Sequence, residues 1–149
     1  AVRHVRPTEP DLVARLAAEM KGYFYAAPSL LARSGTPKAK ADLAAMGWIS
    51  YGDNTRVIEY MLALDVQLTE DSFQAGSADG VVAWELAKTG LGVSAMDANI
   101  AALSPDMQRL LPDELEVTFP VWLVTHREIH TSPKIRLVFD MLAEAFAEI

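Results

Sequence analysis

The order of structural signals in residues 77–96, SADGVVAWELAKTGLGVSAM, constrains the fold of this chain more than any other segment. The mixture of apolar and polar positions over residues 81–87 predicts a helix, and the apolar run over residues 91–96 predicts a short buried strand. A phosphate-binding Gly-x-Gly loop needs the opposite order, with a strand before the glycines and a helix after them. We therefore expect the glycines to end the helix, with Gly90 as a left-handed C-cap, and not to bind a nucleotide.

The start of the same helix is a candidate anion site. Ser77 is predicted to be its N-cap, with Asp79 in the first turn. Unpaired backbone N–H groups at such a helix end attract negative charge. A plain helix cap is the alternative explanation.

Strand and helix patterns alternate along almost the whole chain. This alternation predicts an α/β fold with a mixed, largely parallel sheet flanked by helices, whose ligands bind at the carboxyl ends of the strands. Residues 11–20 are ambiguous between helix and extended chain. Extended segments are predicted at 1–5, 23–27, 48–51, 66–74, 91–96, 115–117 and 121–125, and helices at 28–34, 41–45, 55–64, 77–89 and 98–111.

The C-terminus carries the clearest helix pattern. Ser132 is predicted to cap this helix and Pro133 to occupy its first position. One apolar stripe predicts the face that it buries. The stripe consists of Ile135, Phe139, Leu142, Phe146 and Ile149.

The charge of the chain argues against nucleic-acid binding by this chain alone. The net charge is −7, and residues 61–120 contain two Lys/Arg against ten Asp/Glu. Binding to a phosphate backbone needs a basic face. The absence of cysteine fits a reducing cytoplasm. No apolar stretch reaches the roughly 20 residues of a membrane helix, and no signal peptide is recognisable, so we expect a cytoplasmic location and no membrane contact.

No set of residues points to catalysis. His126 and His130 have the spacing of a metal pair on a helix, but the pattern places them at a strand end and in a polar turn, where we expect no metal site. The chain has no Gly-x-Ser-x-Gly nucleophile motif. Its neighbouring carboxylates fall in predicted loops. We therefore expect no enzyme, no metal and no cofactor.

A binding module is the remaining hypothesis. Small hydroxyls and free N–H groups at strand ends and helix starts suit a small polar or carboxylated ligand. Simple helix caps are again the alternative. The candidate lining consists of Ala27, Pro28, Ser29, Ser50, Tyr51, Gly76, Ser77, Ser94 and Met96.

Four segments in this order resemble the effector-binding domain of the LysR-type transcriptional regulators. They are AVRHVRP at the start, YFYAAPSLLARSGTPKAKADLAAMGWI, SADGVVAWELAKTGLGVSAM, and the closing PVWLVTHREIHTSPKIRLVFDMLAEAF. Each segment is weak by itself, and their joint order and spacing make the resemblance specific. It covers the whole chain.

The resemblance implies two α/β lobes, similar to periplasmic binding proteins, with a small-molecule effector between them. By this likeness the first lobe is truncated and comprises residues 1–11 and 131–149, and the second comprises residues 12–130. It also implies that Leu12 to Leu16 are extended and that DNA is bound only through an N-terminal domain absent from this chain. The implied ligand contacts are Gly76, Ser77, Ser50, Tyr51, Ser94 and Met96, with Arg3 and His4 on the facing lobe.

Self-association is expected through the helix at residues 55–64. Its apolar surface exceeds what one buried face needs, and the resemblance implies a homodimer or tetramer. The predicted interface residues are Val57, Ile58, Met61 and Leu62. Two other interpretations stay open here: a fragment of a secreted solute-binding protein, and a small α/β enzyme without a recognisable catalytic set.

Overall fold

The computed structural model describes residues 1–148, which form two compact units. The first unit consists of Ala1–Lys21 and the chain from Thr118 onwards, and the second of Gly22–Val117. These units are divided at residues 21/22 and 117/118, whereas the predicted lobes were divided at 11/12 and 130/131. Ile149, the last residue of the predicted C-terminal stripe, lies outside the described residues.

The described chain contains seven strands and seven α-helices. The strands are β1 Val2–Arg3, β2 Leu12–Ala26, β3 Trp48–Tyr51, β4 Phe73–Ser77, β5 Ser94–Asp97, β6 Gln108–Arg109 and β7 Val117–His126. The helices are α1 Pro28–Ser34, α2 Lys40–Leu43, α3 Asn54–Ala63, α4 Gly80–Lys88, α5 Ala98–Ala101, α6 Arg127–His130 and α7 Pro133–Ala147.

The second unit contains both parallel and antiparallel strand pairs. β3 pairs with β4 in parallel, and a parallel bridge joins Trp48 of β3 to Val93, just before β5. The last part of β2 pairs antiparallel with β5 and with β6. The first unit adds the antiparallel pair of β1 and β7. The α/β class with a mixed sheet is therefore confirmed, but the prediction of a largely parallel sheet is wrong, because β5 and β6 run opposite to β2.

Aromatic and branched side chains build the core of the second unit. Trp48 on β3 is 2% exposed, contacts Phe24 edge to face, and donates a hydrogen bond from Nε1 to the carbonyl oxygen of Leu43 at 2.9 Å. A second cluster forms around Tyr25 and Trp84, whose ring centroids are 5.5 Å apart. Burial of these large rings fixes β3, β5 and α4 against the end of β2.

The first unit packs α7 against its strands. Phe139 and Ala143 of α7 are buried with Leu123 of β7. The N-terminal ammonium donates to the Val124 carbonyl oxygen at 2.6 Å, extending the β1 pairing. The opposite face of α7 leaves Leu137 and Met141 about 60% exposed.

Several local predictions are confirmed by this fold. Residues 12–16 belong to β2 and are extended, as the family resemblance implied and against their helical periodicity. Pro28 and Pro133 occupy the first turns of α1 and α7. Gly90, which follows the C-cap Thr89 of α4, has φ +82°, a conformation that costs glycine little.

Other local predictions are wrong. The helix expected over residues 98–111 ends after Ala101, because the chain turns at Ser104, whose carbonyl oxygen accepts from the Met107 N–H at 3.0 Å. Instead of the strand pair expected at 115–117 and 121–125, one strand, β7, runs over Val117–His126 and contains Pro120. The extended segment at 66–74 is interrupted by a 3-10 turn at Glu70–Ser72.

Candidate functional site

Three segments of the second unit run in the same direction and end at one edge. β4 is parallel to β3, and the bridge between Trp48 and Val93 gives the chain entering β5 the same direction as β3. Their last residues are Ser77, Tyr51 and Asp97. We name this the strand-end edge. In α/β folds, ligands bind outside the carboxyl ends of such strands.

The pairing of β3 with β4 brings four predicted ligand residues together. Ser50 lies opposite Gly76, and Tyr51 lies opposite Ser77. The Gly52 N–H donates to the carbonyl oxygen of Ser77 at 3.1 Å and continues the pairing into the turn. Ser50 is 5% exposed, whereas Tyr51 is 50% exposed. The strand-end edge therefore exposes the Tyr51 side chain to solvent beside the small residues Gly76 and Ser77 of β4.

Gly76 is needed for this close approach. A Cβ built at Gly76 would overlap the Ser50 hydroxyl and would lie 3.3 Å from the Ser50 carbonyl oxygen. A side chain at position 76 would displace Ser50 of β3. The glycine is thus explained by packing between the strands, independently of any ligand.

Asp79, and not Ser77, caps α4. The Asp79 carboxylate accepts from the N–H groups of Val81 at 2.8 Å and Val82 at 3.2 Å, while the Ser77 hydroxyl accepts from the N–H of Asp79 at 3.0 Å. The prediction of Ser77 as N-cap is wrong, because Ser77 is the last residue of β4 and the helix begins at Gly80. Two of the first amides of α4, those of Val81 and Val82, therefore already bind a carboxylate of the chain itself.

Two more aspartates cap helices that follow these strands. Asp53 accepts from the Thr55 N–H at 2.9 Å at the start of α3. Asp97 is 5% exposed and accepts from the N–H groups of Asn99 at 2.9 Å and Ile100 at 3.2 Å at the start of α5. A carboxylate therefore lies at or just after each of the three strand ends. The sequence signal for these caps is an aspartate just before each helix.

Ser94 and Met96 alternate along β5 on the same face. Ser94 lies opposite Tyr25, is 5% exposed, and its hydroxyl donates only a long 3.4 Å hydrogen bond to the Ala95 carbonyl oxygen. Met96 lies opposite Tyr23 and packs against the second core cluster. Their positions explain packing, and their role as ligand contacts stays a prediction.

Arg3 and His4 belong to the first unit, where both side chains have partners. Arg3 pairs with Glu9 at 3.1 Å. The pKa of the Glu9 carboxyl is lowered by a hydrogen bond from its own backbone N–H and by that from Arg3. The Nδ1 of His4 lies 3.2 Å from the Pro120 carbonyl oxygen. The predicted role of Arg3 and His4 in ligand binding stays a prediction.

The predicted interface residues of α3 differ in exposure. Met61 is 1% exposed, and Val57 and Ile58 are half-buried against the main core cluster of the second unit. Leu62 is 57% exposed. Only Leu62 of the four is a mainly surface residue, and the role of all four in self-association stays a prediction.

Two cavities lie in the first unit. One is an apolar groove of about 310 Å³ between β7 and α7, to which Arg3 also contributes. The other has about 280 Å³ and is bordered by β2, α7 and the turn before α7. Residues 1–148 contain no group of three histidine or acidic side chains placed to bind a metal ion. Within the same residues, no helix combines the length and apolar character needed to cross a membrane.

Solved structures share this fold at low sequence identity. The regulatory domain of CrgA, a LysR-type transcriptional regulator from Neisseria meningitidis, has a TM-score of 0.78 and 17% identity over 97% of this chain and 74% of that one. Full-length LysG from Corynebacterium glutamicum with bound effector Arg has a TM-score of 0.67 and 19% identity, over 99% of this chain and 50% of that one. Full-length CbnR complexed with its target DNA has a TM-score of 0.65 and 19% identity, over 99% of this chain and 53% of that one.

The chain thus spans about half the length of these full-length regulators. No curated protein sequence matches it. The family model described as the LysR substrate binding domain matches residues 1–147. Together with the shared fold, this match shows that the chain belongs to the LysR substrate binding domain family.

Proposed function

We propose that this chain is the effector-sensing part of a cytoplasmic LysR-type transcription regulator, and that it binds a small molecule without catalysing a reaction. The family match over residues 1–147 supports this function over a secreted solute-binding protein. The acidic balance of residues 61–120 supports DNA binding by another part of the regulator. CbnR is described in complex with DNA at full length, about twice the length spanned by this chain.

The strand-end edge is the proposed effector site. The single observation that carries this proposal is the common direction of β3, β4 and the chain entering β5, which brings Tyr51, Ser77 and Asp97 to one edge. Tyr51 is half exposed and is proposed to contact the ligand with its ring. Ser50, Gly76, Ser94 and Met96 are proposed as further ligand contacts at this edge.

The aspartate caps favour an effector with hydrogen-bond donors. A carboxylate is the effector class that the sequence favours at the start of α4, but the Asp79 carboxylate already accepts from the Val81 and Val82 amides there and would repel a second anion. The free oxygen lone pairs of Asp53 and Asp79 are suited to accept from an ammonium group. We therefore propose an amino acid or a similar small ammonium compound. LysG, described with bound effector Arg, offers a precedent.

Backbone amide NMR of the full chain tests the site and the ligand class together. L-arginine serves as the probe with an ammonium group, and succinate as the probe with carboxylates alone. We expect arginine to produce saturable shifts at residues 50–54 and 76–80, and succinate to produce none there. Shifts from succinate alone would restore the carboxylate class, and a panel of amino acids that moves none of these amides would contradict the site.

Substitutions separate ligand contact from packing. Tyr51→Ala removes the exposed ring and should weaken binding of the active amino acid. Lys88→Ala is the matched control, because Lys88 is at the other end of α4 and pairs only with the exposed Glu85. Equal affinity in Tyr51→Ala and Lys88→Ala would show that the ring does not contact the effector.

Self-association is proposed as a homodimer or tetramer that uses α3. The exposure of Leu62, beside half-buried Val57 and Ile58, supports an apolar contact on this helix.

A further inference from the structure

The smaller cavity of the first unit combines positive charge with an apolar wall. Its volume is about 280 Å³. Arg15 and Arg136 contribute guanidinium groups, Val13 and Phe139 contribute apolar surface, and Asp140 contributes one carboxylate. None of these residues belongs to the proposed effector site.

The local structure places the two arginines on the same cavity. Val13 and Arg15 are two residues apart on β2 and therefore share a face of the strand. Arg136 and Phe139 are three residues apart on α7 and share a face of the helix. No ion pair joins Arg15 or Arg136 to an acidic residue in the described part of the chain. Both guanidinium groups are thus available to a ligand.

His130 also lines the cavity. Its ring stands edge to face against Phe139, with centroids 5.5 Å apart. Its Nδ1 is buried and has no hydrogen-bond partner among residues 1–148. Because this atom is shielded, His130 contributes the accessible part of its ring to the cavity wall.

From these observations we propose that this cavity binds a small carboxylate with a short apolar body. The arginines donate to the carboxylate oxygens, a geometry that guanidinium groups suit well. Val13 and Phe139 contact the apolar body. The start of α7, which lies between the lining residues Thr131 and Arg136, adds the positive end of its dipole. Asp140 contributes one negative charge against the two positive charges of the arginines, so these three side chains give the cavity a net positive charge.

The apolar wall distinguishes a carboxylate from inorganic phosphate. Phosphate has the charge to bind arginine, but it has no apolar part to contact Val13 and Phe139. It would therefore gain no hydrophobic free energy from these two side chains. The cavity would accept a neutral molecule of similar shape less well, because the two arginines would lose their charged partner.

NMR titration of the full chain at constant ionic strength tests the proposal. The probes are butyrate, its neutral isostere butyramide, and inorganic phosphate. We expect butyrate to shift the side-chain N–H resonances of Arg15 and Arg136 and the ring resonances of His130 in a saturable manner. Butyramide and phosphate should bind more weakly. Butyramide binding equal to butyrate, or tighter binding of phosphate, would overturn the carboxylate class.

Single substitutions test the named residues. Arg15→Gln and Arg136→Gln should each weaken butyrate binding by about three- to tenfold, because each removes a charge-assisted hydrogen bond at a partly exposed site. Lys134→Gln is the matched control, since Lys134 is an exposed cation on the same helix that does not line the cavity. An equal loss in Lys134→Gln would show attraction to general positive charge and overturn the site.

The location of the shifts separates this site from the proposed effector site. Butyrate shifts at Tyr51 and Ser77, without shifts at Arg15 and Arg136, would overturn the second site and leave the strand-end edge as the anion site. Shifts confined to the cavity residues would support the second site whatever the outcome at the strand-end edge.

Discussion

Ser50 and Gly76 face each other across two parallel strands, and the Ser50 hydroxyl occupies the space where a side chain at position 76 would begin. Gly76→Ala is therefore expected to lower the free energy of unfolding by about 1–3 kcal/mol, the usual cost of overpacking. Urea denaturation measures this loss. In a Ser50→Ala background the same change should cost less, because the overlapping oxygen is gone. Equal costs in both backgrounds would show that the Ser50 hydroxyl moves aside freely.

The cap of α4 gives a second prediction. Asp79→Ala should lower the free energy of unfolding by about 1 kcal/mol, since two N–H groups lose their acceptor. Asp79→Asn keeps an acceptor and should lose less. Ser77→Ala should also lose less, because its hydroxyl accepts only from the Asp79 N–H. A larger loss of unfolding free energy in Ser77→Ala than in Asp79→Ala would show that Ser77 is the N-cap.

The sequence predicts the parts of the fold that short-range chemistry determines. Gly90 ends its helix, since it follows the last apolar turn. Pro28 and Pro133 begin helices, because the first helical position needs no N–H donor. The direction of the strands could not be obtained in this way. Nothing within β2 shows that β5 and β6 pair with it antiparallel, because strand pairing depends on residues far apart in sequence.

The same limit applies to the site. The pairing of Ser50 with Gly76 brings together residues that the sequence had proposed separately. The cap was misassigned because Ser77 and Asp79 are both good cap residues, and only the end of β4 decides between them. The cavity around Arg15 and Arg136 had no sequence signal, since its residues come from β2 and from α7, more than one hundred positions apart.

Leu62 provides the cleanest test of self-association. Leu62→Asp changes a 57% exposed side chain and should convert an α3-mediated dimer to a monomer without unfolding the chain. Ile58→Asp would place a charge against the core cluster and confound association with stability. Sedimentation velocity of the wild type and Leu62→Asp, with Leu103→Asp as an exposed control, measures the effect. The same oligomer in all three proteins would exclude this face of α3.

Binding of duplex DNA by this chain alone is not expected. The net charge of −7 opposes the phosphate neutralisation that supplies most of the affinity of DNA-binding proteins. A mobility-shift titration at low salt, with a random duplex as competitor, measures DNA binding by the chain. Sequence-dependent binding by the 149-residue chain would contradict the proposal that another part of the regulator reads DNA.

Tyr25 makes stability depend on alkaline pH. Burial raises the pKa of its phenol above the ordinary value of 10.0, and the nearby Arg109 charge partly offsets the rise. The folded state therefore holds this proton more tightly than the unfolded state, so the associated stabilisation is complete below about pH 10 and is lost as pH rises through the folded pKa.

Tyr25→Phe keeps the ring against Trp84 and removes the ionisable group. Urea denaturation from pH 8 to pH 11, roughly spanning the ordinary tyrosine pKa, should show a smaller fall in Tyr25→Phe than in the wild type. Tyr51→Phe, which changes a 50% exposed tyrosine, is the control. Equal falls in the wild type and Tyr25→Phe would show that the buried phenol does not contribute to the alkaline loss.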